Sequence, residues 1–160
     1  MNSTIQETGK VLLLLFISLI CSGLIGADRE RKNRPAGMRT HVIVCLASTL
    51  IMYAGIRLKN EYIDIAPNID PARLAAQILS GIGFLGAGTI LKGKDNVHGL
   101  TTAATLWSVA CIGIVIGANY ILAGICGTFM VWMTLRVLAH IEHKLLVNRR
   151  LSEVVVEFNA

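Results

Sequence analysis

Polar side chains that could do chemistry are few in this 160-residue chain, and they sit at the edges of apolar runs. The densest group is Asp28, Arg29, Glu30, Arg31, Lys32 and Arg34, followed shortly by Arg39 and His41. A carboxylate and arginine constellation of this kind can orient helices or contact a partner. It can equally anchor the chain as positive charge beside a membrane and close on itself in salt bridges, and the residues alone leave both readings open. Arg73 and Gln77 are four apart and so share one helix face, where a hydrogen-bond clamp to a neighbouring helix is expected ahead of a ligand site. Asn96, His98, Thr101 and Thr102 make a polar loop and the first turn of the next helix, for which capping by Asn or Thr is the plain structural account.

Several kinds of chemistry lack their residues. No nucleophile stands with a base, so no catalytic residue is expected and the chain reads as a non-enzyme. Gly81, Gly83 and Gly86 satisfy the dinucleotide spacing G-x-G-x-x-G, but that fingerprint needs a strand before it and a solvent-facing helix start after it. Here the glycines lie inside a long apolar run, which points to helix packing. A magnesium cage wants convergent carboxylates, and only Asp28, Glu30 and Asp70 lie near an apolar segment. His140 and His143 flank Glu142 at metal spacing, yet ordinary solvation of a helix end accounts for them. Cys21, Cys45, Cys111 and Cys126 all fall in apolar stretches without a C-x-x-C pair, and are expected as buried, reduced space-fillers. No metal and no cofactor are therefore expected.

The elements that must position these groups follow from composition. Apolar residues make up 54% of the chain, charged residues only 16%, and the mean hydropathy is +0.62, which puts it in the membrane class. The basic residues fall between apolar blocks and not in a stripe with interleaved aromatics, so nucleic acid is a poor partner and the lipid bilayer the obvious one. Five spans are expected at about 11–27, 40–56, 72–91, 99–118 and 120–139, the second lengthened by Arg39, Thr40 and His41 snorkelling into the headgroups. Lys10 followed by apolar residues could pass for a signal peptide, but the run continues through Ile25 with no small-x-small site, so it reads as an uncleaved first span. Asp70 as N-cap and Pro71 at the first helical position start the third span. With Gly81, Gly83, Gly86 and Gly88, that span should be central to the bundle. Gly113 with Gly117, and Gly124 with Thr128, supply further small-residue faces, Asn119 marks a turn, and Trp132 is an interfacial anchor.

Charge orients the bundle. Eleven Lys and Arg fall at the ends that would share one side with the C-terminus, against Lys10, Arg57, Lys59 and Arg73 on the other. The N-terminus should therefore face outside and the C-terminus the cytoplasm. Residues 140–160 read as a cytoplasmic tail, with a strand beginning over Leu151–Phe158.

Read together, five stretches carry a resemblance: GLIGADRE over 23–30, RPAGMRTH over 34–41, DPAR over 70–73, AAQILSGIGFLGAG over 75–88 and NVHGLTTAA over 96–104. In these the chain resembles the MgtC/SapB family of bacterial inner-membrane proteins over about residues 10–137. The resemblance implies a compact all-α bundle of five transmembrane helices with an external N-terminus. It implies a link to growth in low magnesium and to virulence, with inhibition of the F-type ATP synthase as the best-described activity. It also implies that 140–160 is the start of a truncated ACT-like soluble domain. Asn96 stands where the family keeps a functional asparagine; Asp28, Glu30, Arg39, Asp70, Arg73 and Gln77 are motif residues without an assigned role. The leading expectation is a non-enzymatic regulator that packs against another membrane complex. A magnesium or other cation transporter, and a self-assembling structural bundle forming homo-oligomers, are the alternatives.

Overall fold

The computed structural model describes residues 2–93 and 96–138, so the expected 140–160 tail, His140, Glu142 and His143, and the expected strand at 151–158 lie outside the described residues. Five helices make the fold: α1 (Asn2–Arg31), α2 (Met38–Glu61), α3 (Pro71–Gly88), α4 (Leu100–Gly117) and α5 (Ile121–Leu138). They run alternately up and down. At one end Arg29 reaches Thr102 and Arg136 reaches Asp28; at the other Glu7 meets Tyr53 and Arg57. Between α3 and α4 a small antiparallel hairpin pairs β1 (Leu91–Lys92) with β2 (Val97–His98), Leu91 opposite His98, where the sequence suggested only a polar loop.

α1, α2, α4 and α5 are each long and apolar enough to cross a membrane. α3 falls short of that measure, because Arg73, Gln77 and its glycines dilute its apolar residues. Leu12, Phe16, Ile43, Phe84, Trp107, Leu122 and Phe129 all point outward, a girdle of apolar surface far beyond what a water-soluble chain exposes. The chain is a membrane protein built as an all-α five-helix bundle.

α4 is the central helix. It is the helix with the most buried residues among those described, and Leu106, Val109, Ala110, Ile112 and Ile116 sit in the core with Leu14 and Ile25 of α1 and Val44 and Cys45 of α2. Gly113 and Gly117 let α2 approach: a Cβ at Gly113 would overlap the Cys45 carbonyl and one at Gly117 the Thr49 carbonyl. Thr49 Oγ1 lies 2.9 Å from the Cys45 carbonyl and 3.1 Å from that of Gly113, and Ser18 of α1 reaches it at 2.7 Å. Thr49 has one proton, shared between two carbonyls, so Ser18 is the donor to it. This polar clamp ties α1, α2 and α4 together at mid-bundle.

α3 is peripheral, contrary to the expectation of a central third helix. Its buried residues are Pro71 and Gly86, the latter against Ala103 of α4. A Cβ at Gly81, Gly83 or Gly88 would meet nothing within 4 Å. The glycine-rich composition leaves room for a close neighbour, and none of the described residues occupies it.

Candidate functional site

The end of α1 builds the candidate site. Asn33 adopts a left-handed conformation (φ 50°) just past the helix. The Arg34 amide turns back to the Arg29 carbonyl at 3.1 Å and the Asn33 amide to that of Glu30 at 3.0 Å, which satisfies the free carbonyls of the last turn. The turn gathers Arg29, Lys32 and Arg34 at one place. Opposite them α4 begins at Gly99, whose φ of 93° and whose contact with the Thr89 carbonyl both exclude a side chain. Thr101 and Thr102 follow in the first turn. With Thr134, Leu135 and Leu138 of α5 these residues enclose a cleft of about 390 Å3 at the basic end of the bundle.

Electrostatically the cleft is lopsided. Asp28 is only 5% exposed and holds two cations, Lys32 Nζ at 2.8 Å in an ion pair and Arg136 Nε at 3.4 Å. Lys32 also donates to the Leu135 carbonyl at 3.4 Å, and Arg136 lies 4.8 Å over the Trp132 ring. Arg29, 4% exposed, donates through Nη2 to Thr102 Oγ1 at 3.4 Å, while its Nε has no partner among the described residues. Glu30 faces the α1–α2 turn, where it accepts from the Met38 amide at 2.7 Å. Among the described residues no carboxylate lines the cleft.

Beneath it runs a buried polar chain that the sequence reading missed. His41 is fully buried, not snorkelling. Its Nδ1 donates to the Gly37 carbonyl at 2.7 Å, and Nε2 lies 3.0 Å from Thr105 Oγ1, which is itself 2.9 Å from the Thr102 carbonyl. Thr105 thus has one proton for two acceptors when the ring is neutral. The signal was present: Thr102, Thr105, Val109 and Gly113 recur at helical spacing, a small and polar face on α4 aimed at α1 and α2.

The remaining predicted residues scatter. Arg39 is exposed and holds none of the described ion pairs. Asp70 caps α3 as expected, accepting from the Ala72 amide at 2.9 Å. Arg73 and Gln77 are both exposed on α3 and make no described side-chain hydrogen bond, so the clamp expected of them is not formed. Asn96 is exposed in the hairpin turn, and its carbonyl, not its side chain, accepts from Gly93 at 2.8 Å. α4 is capped by neither Asn96 nor a Thr side chain. Cys21 and Cys45 are buried, Cys111 is half-buried and Cys126 is exposed, so the space-filling role expected of all four fails for Cys126. Gly113 and Gly117 are consumed by α2, which removes them as an oligomer face.

The MgtC family model matches residues 15–144. The chain is 37% identical over 143 residues to a protein of Escherichia coli named putative magnesium transporter YhiD, covering 87% of this chain and 65% of that protein. It is 38% identical over 129 residues to protein SrpB of Synechococcus elongatus, covering 76% and 70%. It is 43% identical over 105 residues to protein MgtC of Brucella abortus, covering 65% of this chain but 41% of that one. The chain thus spans about two thirds of YhiD and less of the Brucella protein. No solved structure matches it. With a family model covering most of its bundle, the chain belongs to the MgtC family.

Proposed function

We propose that this chain is a non-enzymatic regulator of the bacterial inner membrane, N-terminus outside and C-terminus cytoplasmic, that takes part in low-magnesium adaptation and virulence by binding and inhibiting the F-type ATP synthase. One observation carries the reading. α3 presents Gly83 to open space on a face shared with Ser80 and Ala87, both exposed, three residues before it and four after it. A small-residue face of that kind admits the close approach of a foreign helix, which is how helices associate in lipid. Asn96 lies exposed in the turn just beyond that helix, within reach of the same partner.

Cation transport is the second reading, favoured by the name of the YhiD relative. Against it, the buried Asp28 carboxylate is already held by Lys32 and Arg136, and no three of His, Cys, Asp and Glu converge among the described residues. Ion uptake into proteoliposomes that Asp28→Asn abolishes would favour transport over regulation.

ATP-driven proton pumping in inverted membrane vesicles tests the regulator directly. The protein should lower pumping, and Asn96→Ala should restore most of it; pumping unchanged by the wild-type protein would sink the reading.

A further inference from the structure

The basic cleft does not stand alone. Along the same pair of helices, nearer mid-bundle, Ile20, Cys21 and Leu24 of α1 face Ile125, Thr128 and Phe129 of α5 across an almost wholly apolar groove of about 340 Å3. Leu24 and Phe129 each stand five residues before Arg29 and Thr134 of the cleft, about 7.5 Å along each helix. The cationic cleft thus lies a little over one helical turn beyond an oily groove, and both are bordered by α1 and α5.

We propose that cleft and groove together bind one anionic phospholipid: the headgroup phosphate in the cleft, one acyl chain between α1 and α5. Arg29 and Arg34 supply the positive charge, Lys32 being paired with Asp28, and among the described residues no carboxylate lines the cleft to compete. The first-turn amides of α4 have no intrahelical acceptors and Gly99 offers no side-chain cap, so this helix start brings free donors and a positive dipole to the same space. The second, independent sign is Arg29. Its guanidinium is almost completely buried on the cleft wall with Nε unpartnered, an arrangement that costs free energy unless an anion meets it. A phosphate oxygen fits that donor set, and the groove below selects a phosphate that carries a hydrocarbon chain over a soluble one. This site is independent of any partner on α3.

The test uses the full chain purified in mild detergent. Native mass spectrometry with phosphatidylglycerol or phosphatidylcholine reads lipid retention, and thermal shift with inorganic phosphate reads the soluble source. Wild type should retain phosphatidylglycerol over phosphatidylcholine, with retention about tenfold weaker in Arg29→Gln and in Arg34→Gln. Arg31→Gln, an exposed cation on the same helix end outside the cleft, should match wild type. Arg34 is exposed, so its variant folds even where the loss of the buried Arg29 disturbs the bundle. Equal retention in Arg34→Gln and wild type, or equal loss in Arg31→Gln, overturns the site. Stabilisation by inorganic phosphate that Arg34→Gln removes, without lipid preference, keeps the phosphate site and overturns the lipid.

Discussion

Ser18 and Thr49 illustrate what single residues do in this bundle. Each lies in an apolar run and is fully buried with its hydroxyl satisfied, Ser18 by Thr49, and Thr49 by Ser18 and the Cys45 and Gly113 carbonyls. Removing the Ser18 hydroxyl should destabilise the protein by about 1 kcal/mol, the usual worth of a hydrogen bond between membrane helices. Thermal unfolding in detergent of Ser18→Ala reads this, and a transition at the wild-type temperature would show that packing alone holds α1 in place. At this scale the sequence was partly legible. Asp70 and Pro71 were read correctly because capping is local, and Asn119 (φ 70°) because a left-handed turn has its own residue preference. His41 was misread as a headgroup residue. Its burial depends on Thr105, 64 positions away, and no local pattern reveals that partner.

Among elements, the glycine helices divide in a way composition does not disclose. α4 and α3 both carry glycine at helical spacing, yet Gly113 lies against α2 while a side chain at Gly83 would meet none of the described residues. Gly113→Leu should therefore prevent α2 from closing on α4 and abolish accumulation of folded protein in the membrane, since the side chain would enter the space of the Cys45 carbonyl. Gly83→Leu should leave accumulation and melting temperature at wild-type values, because it faces open space. Quantifying folded protein by size-exclusion after detergent extraction separates the two; equal losses would mean that α3 packs inside its own chain. Hydropathy marks the approximate limits of each helix but not its neighbours. α1 begins some nine residues earlier than its apolar run, since Glu7 is held by Tyr53 at 2.6 Å and by Arg57 at 3.0 Å, a tertiary contact that extends the helix beyond its hydropathy.

For the whole molecule, the bundle divides its surfaces by task. α1, α2 and α4 form a closed core joined by the Ser18, Thr49 and His41 hydrogen bonds, while α3 lies on the outside with its small residues uncovered. The alternation of five helices was legible from hydropathy and charge, and the basic end it implies holds Arg29, Lys32, Arg34 and Arg136 together. Which helix would be left over was not legible, because the four glycines of α3 fit a central helix and a docking helix equally well. The claim that α3 is the face turned to another protein is tested most directly by a photo-crosslinking amino acid at position 83, with position 122, outward on α5, as the control, in native membranes. Position 83 should capture a subunit of another membrane complex, the F-type ATP synthase being the one expected, while position 122 should capture no such subunit. Capture at position 83 of lipid alone, or only of a second copy of this chain, would contradict the regulator reading.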